Sequence, residues 1–389
     1  MQLFKYEAVI AKCRALYGKL LKADDYEMLL KSTSISEIAV YLRDRTAYAE
    51  FFSDAADLKT MNRAKLEYYI RKSLISDFVK IYRFIYGKEH HFINLLLARF
   101  ELEFILKTWR HFVWLNRENN SINSINGEDD NKYLLDVGVL EMQMISMIYQ
   151  YTSKIDIEAL KNVSNIGQFM EAISKTNYFN IFEKYMGDGI SQDYTKLEAA
   201  IYNEYYRMLY DAVKIFDRDT QEKIRRLISI EIDLINLERI SRIAVNFSES
   251  LDAADRSREI MPLLVPIRFK LRAENIQQLI TLENKNDFLT YCDSELYYGS
   301  KKSFRVYDTF EQYRRNFLYN IYRSGTSHTR SGLDVIIKYF FIKETEIKNL
   351  FYLIEGIRYS MNSEEIRPYL IGVDYGYSSS DEGNERGTV

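Results

Sequence analysis

Between His90 and Phe112 the chain reads HHFINLLLARFELEFILKTWRHF, and its apolar positions recur at helical rather than alternating spacing. Wound at about 100° per residue, Ile93, Leu97, Phe100 and Phe104 fall on one face and Leu95, Leu102, Leu106, Trp109 and Val113 on another. Arg99, Glu103, Lys107 and Arg110 form a charged strip centred roughly opposite Asn94. A helix with two apolar faces needs two helical neighbours, which predicts the central helix of a bundle. Two later stretches carry the same arrangement: Glu231, Glu238 and Arg242 lie roughly opposite Asn236, and Glu344, Glu355 and Arg358 roughly opposite Asn349. Each asparagine is followed by leucine and preceded closely by isoleucine. All three helices are expected to show the charged strip to water and to turn the asparagine inward, where an amide without partners costs about 1–3 kcal/mol. Asn94, Asn236 and Asn349 are therefore read as structural repeat positions, not as catalytic ones.

The pattern around these helices also recurs in order. Each copy begins with an acidic-apolar helix: DDYEMLLKSTSISEIAVYL, DIEALKNVSNIGQFMEAI or ENIQQLITLENKNDFLTY. The first two run into a Thr-x-Tyr element, Thr46–Tyr48 and Thr176–Tyr178, where the third has only SELYY. A further helix then opens with Leu66-Glu67, Leu197-Glu198 or Phe310-Glu311. Polar stretches supply seams, and the reading is three helical repeats, 1–116, 132–246 and 259–373. Linkers at 117–131 and 247–258 separate them, and a tail at 374–389 is expected to be disordered because it has too little apolar content to order itself. With three prolines in 389 residues, long segments are free to be helical. The predicted fold class is all-α, and the 32 tyrosines and 22 phenylalanines suit many helix–helix contacts.

Charge and composition mainly exclude. A formal charge of −3 with interspersed signs lacks the basic excess that meets a nucleic-acid backbone, so no nucleic-acid partner is expected. No apolar run approaches the roughly 20 residues that span a bilayer. Cys13 and Cys292 stand far apart, which gives neither a disulfide framework nor a zinc site and suits a reducing cytoplasm. The N-terminal MQLFKYEAVIAKCRALYGKLL is charged throughout and reads as an amphipathic helix, not a signal peptide.

Catalytic chemistry is equally sparse. Adjacent His90 and His91 point about 100° apart on a helix and are read as ordinary residues near a helix start, not as metal ligands. Phosphate-cradling and nucleophile-elbow motifs are missing. The nearest enzymatic pattern is the pair of magnesium–diphosphate motifs of isoprenoid synthases. DDYEM places Met28 where a carboxylate belongs, and NDFLTYCDSE places Ser294 where a glutamate is required. Both fit better as acidic first turns that complement the helix dipole. No catalytic residue, metal or cofactor is expected.

The combination resembles the C subunit of vacuolar/archaeal-type (V/A-type) rotary ATPases, a family that includes the eukaryotic d subunit. The residues that carry it are the opening YEAVIAKCRALYGKLLKADDYEMLL, the LRDRTAYAEFF turn, the Leu-Glu helix starts, the three Asn-Leu helices and EEIRPYLI at 364–371. The resemblance implies three similar bundles around a pseudo-threefold axis in a funnel. Its partners would be the membrane rotor ring at the wide end and the central shaft subunits in the cavity. It also implies one copy per complex, a peripheral position on the cytoplasmic face of the membrane, and torque transmission without chemistry. Partner-contact residues are not identified. A generic all-α repeat scaffold for soluble partners stands as the alternative.

Overall fold

The computed structural model describes residues 2–53, 58, 61–118, 142, 154–186, 193–245, 251–296, 309–324 and 332–373. Among them there are helices and short 3-10 turns and no strand, so the fold is all-α. The tail 374–389 and most of the 117–131 linker lie outside the described residues.

The N-terminal region folds as α1 (Gln2–Tyr17), α2 (Ala23–Leu29), α3 (Ile35–Arg45) and α4 (Arg63–Tyr82). The long α5 (Glu89–Glu118) follows, then α6 (Ile157–Lys161), α7 (Ile166–Ile173), α8 (Phe179–Met186) and α9 (Tyr194–Ala212). A second long helix, α10 (Arg218–Ala244), leads to α11 (Ala253–Ile260), α12 (Ala273–Thr281), α13 (Lys285–Glu295) and α14 (Phe310–Ser324). The third long helix, α15 (Leu333–Arg358), and the short α16 (Ser363–Ile366) complete the helices among the described residues. Side-chain caps fix many starts: Ser34, Asn62, Asp156, Asn165, Asp193, Asp217, Asp252, Asn284 and Asn362 each accept a first-turn backbone N–H.

Each long helix packs with the helices that follow it in space, not only with those that precede it in sequence. Helix α5 lies against α9, α10 against α12 and α14, and α15 against α1, α3 and α4. The chain therefore closes on itself, with its last long helix seated among its first four. That seam is dense. Phe78 stacks on Phe340 at 3.4 Å between ring centroids, the Tyr339 hydroxyl donates to Asp77 at 2.5 Å, and Arg63 pairs with Glu355 at 2.6 Å. Arg367 grips Glu27 with two guanidinium nitrogens, and the Ser363 hydroxyl donates to the Leu30 carbonyl at 2.9 Å.

The Thr-x-Tyr elements end helices. Thr46 donates its hydroxyl to the Leu42 carbonyl at 2.6 Å and accepts the Tyr48 N–H at 3.1 Å. Thr176 does the same with Ile173 and Tyr178. A hydroxyl that satisfies one orphan carbonyl and one turn N–H stops a helix without a glycine. Within 247–258, read from composition as a linker, the structure places α11: Asp252 caps it, and Arg256 and Ile260 are buried. The carboxylates that imitate a diphosphate site are caps as well. Asp25 accepts the Lys22 N–H, and Asp287 lies in the first turn after Asn284.

Candidate functional site

The three asparagines fare differently. Asn236 is fully buried, donates to the Val265 carbonyl at 3.0 Å and accepts the Val265 N–H at 2.9 Å. Asn349 makes the same pair of bonds to Ile371, at 2.8 and 2.9 Å. In both places the clamped residue follows a 3-10 turn containing proline, Met261–Leu263 or Arg367–Tyr369. Each amide thus satisfies both backbone polar groups of a residue just past a 3-10 turn. Asn94 is half-buried and accepts the Tyr82 hydroxyl at 2.9 Å.

A carboxylate three residues before each clamping asparagine is a feature that periodicity did not reveal. Asp233 is completely buried and accepts the N–H groups of Phe269, Lys270 and Leu271. Glu346 accepts the N–H of Leu21 at 2.6 Å, the hydroxyl of Tyr48 at 2.8 Å and the ammonium of Lys343 at 2.7 Å. Both hold the loop that enters a helix pair. On α5 the position three before Asn94 is the exposed His91. The carboxylate that shares a cavity with a Thr-x-Tyr tyrosine is instead Glu101, which lines a space of about 520 Å³ with Tyr178, Lys154 and Asn94. Three residues after Glu101 stands the buried Phe104. His90 lies against the Tyr82 ring, and among the described residues no cluster could hold a metal ion.

The charged strips do not simply face bulk water. Arg99 on α5 reaches Glu103 and, across to α15, Glu344, each at 3.3 Å. Arg314 on α14 reaches Glu238 on α10 at 2.8 Å. Arg99, Arg314 and Glu238 border an open cleft of about 660 Å³ to which all three long helices contribute: Arg99 from α5, Glu231 and Glu238 from α10, and Lys348 from α15. The α9 wall adds Glu198, Tyr202 and Tyr206, and the Tyr206 hydroxyl donates to Glu231 at 3.1 Å. Arg239 is held in the wall by the Leu263 carbonyl and by Asn203 Oδ1. One helix viewed alone cannot distinguish open solvent from a water-filled cleft, because both favour the same polar face.

Electrostatics follow from this crowding. Glu344 holds the Arg99 guanidinium protonated against the cost of burial, with Glu103 adding to it. Burial opposes ionisation of Glu103, but Arg99, Lys107, Arg71 and Lys348 outweigh it and keep its carboxyl below the usual range. Lys348 is exposed to the cleft, yet crowding by the surrounding helices, and then Arg99, push its ammonium down to about 8, with Arg314 and Arg315 adding repulsion that Glu344 only partly offsets. Desolvation raises the Tyr206 hydroxyl well above its ordinary range. The walls hold ion pairs and phenols, among them the Tyr206 hydroxyl on Glu231.

The class so defined is an all-α protein whose three long helices meet around one charged cleft. The chain belongs to the ATP synthase (C/AC39) subunit family, whose profile matches residues 9–369. Two relatives are each named as the C subunit of an A-type ATP synthase. The one from Methanosarcina mazei is 22% identical over 372 residues, covering 94% of this chain and 92% of its own length. The one from Archaeoglobus fulgidus is 22% identical over 368 residues, covering 93% and 95% respectively. Among the described residues no helix is long and apolar enough to cross a membrane.

Proposed function

We propose that the chain is the non-catalytic central-stalk subunit of a V/A-type ATP synthase or ATPase, joining the central shaft to the membrane rotor ring and passing torque between them. The observation that carries this is the cleft lined by all three long helices, in a chain that matches its family over residues 9–369. A socket of ion pairs and phenols is a partly polar interface, able to hold a partner and to release it. Packed helices resist compression, which suits a body that must transmit force. In this reading one copy sits on the cytoplasmic face of the membrane, attached through the ring and not by a span of its own.

The three repeats at 1–116, 132–246 and 259–373 belong to the same proposal, as a funnel with pseudo-threefold symmetry. The packing of α5, α10 and α15 onto the helices of the next group supports it, since each repeat then hands its last helix onward and the third hands its own back to the first. Asn94, Asn236 and Asn349 mark the helices that are handed on.

The test is capture of the tagged chain from native membranes. Shaft subunits and the rotor ring are expected together in the eluate. A stable soluble complex that lacks both would favour a scaffold for soluble partners instead.

A further inference from the structure

Lys348 is unusual among the charges of the cleft. Arg99 and Arg314 each have carboxylate partners, and Arg239 is fixed by two oxygens. The ammonium of Lys348 stands in the cleft with no hydrogen bond or ion pair among the described residues. The groups that face it come from every wall. Helix α5 presents Arg99 and Glu103, α9 presents Glu198, Tyr202 and Tyr206, and α10 presents Glu231, Glu238, Arg239 and Arg242. Helix α14 presents Arg314, with the buried Arg315 behind it, and α15 presents Glu344 one turn away. Of the carboxylates around it, Glu344, Glu238 and Glu231 are engaged by Arg99, Arg314 and Tyr206. Lys348 is left as an unpaired donor beside Arg99 and Arg314, exposed to whatever enters the cleft.

We propose that Lys348, flanked by Arg99 and Arg314, receives the carboxylate of an acidic side chain on the protein element seated in this cleft. The inference rests on the reading of the cleft as a socket for the shaft. An arriving carboxylate supplies the acceptor that Lys348 lacks and offsets repulsion from the two guanidiniums. It also favours the protonated ammonium, so seating takes up a proton wherever free Lys348 is partly neutral. With Lys348 of the free chain near 8, affinity is greatest below that pH and falls as pH rises through it.

The experiment measures binding of purified shaft subunits to the full chain between about pH 7 and pH 9. It compares wild type with Lys348→Arg and Lys348→Met, all three verified as folded by circular dichroism. Wild type is expected to lose affinity across that interval by no more than about tenfold, because water screens the exposed ammonium. Lys348→Arg, which stays charged, should bind at least as well at the upper end as at neutral pH. Lys348→Met should bind weakly at both ends with the slope abolished. The same pH slope in wild type and Lys348→Met, or full affinity in Lys348→Met at neutral pH, overturns the inference and leaves the socket intact. Absence of any shaft binding by wild type overturns the socket itself.

Discussion

Asn236 and Asn349 show what one amide does for a buried residue just past a 3-10 turn. Each closes a two-bond ring onto a backbone, to Val265 or to Ile371, at distances of 2.8 to 3.0 Å. Removing the amide strands a buried N–H and a buried carbonyl together. Asn236→Leu and Asn349→Leu should each lower stability by about 2–4 kcal/mol, read as an earlier urea midpoint. Asn94 serves a tyrosine hydroxyl at a half-buried site, so Asn94→Leu should lower it by less than about 1 kcal/mol. A shift as large as that of Asn236→Leu would contradict this assignment. Inward asparagine was legible from helical phase, but its partner was not. Val265 lies 29 residues away and Ile371 lies 22 away, and no local pattern pairs residues at such separations. Lys348 was not singled out from the sequence, because which charges surround it depends on four other helices.

At the scale of elements, local chemistry explains starts and stops while contacts decide what each helix tolerates. Caps at Ser34, Asn165 and Asn284 and the threonine turns at Thr46 and Thr176 lie within a few residues of the ends they fix. Gly356 lies inside α15, where helix propensity alone favours alanine by about 1 kcal/mol. A Cβ there would meet Ile366 side-chain atoms at 2.5 and 2.7 Å, because α16 folds tightly back onto α15. Gly356→Ala should therefore destabilise by about 1–3 kcal/mol, as overpacked sites do. An unchanged or later thermal midpoint would show that Ile366 moves aside freely. The element at Ala253–Ile260 makes the converse point: its polar composition resembles a linker, yet Asp252 caps it and Ile260 anchors it in the core.

At the scale of the whole molecule, closure of the chain and convergence of the charged strips are one geometric fact. Because α15 returns to the first four helices, its Glu344 meets Arg99 of α5 at the cleft. Arg99→Met should weaken both the α5–α15 link and the ionised form of Glu103. The carboxyl of Glu103 lies below its ordinary range when folded, so its contribution is present near neutrality and is lost as pH falls through the folded value. The difference in urea midpoint between wild type and Arg99→Met should therefore narrow as pH is lowered from about 6 to below 4. A difference that is constant over that range would mean that Arg99 acts through packing alone.

By itself the sequence determined that the protein is helical, where many helices begin and end, and which faces are polar, because these depend on residues within a turn or two of one another. It also carried the order of motifs by which the family is recognised. Only the tertiary structure decided that α5, α10 and α15 pack onward into neighbouring groups, that Asp233 and Glu346 bind incoming loops, and that Arg99, the α10 strip and Lys348 line one cleft. Those features join residues tens to hundreds of positions apart. A helix's own periodicity says that a face must be polar, but not which other polar face it will meet.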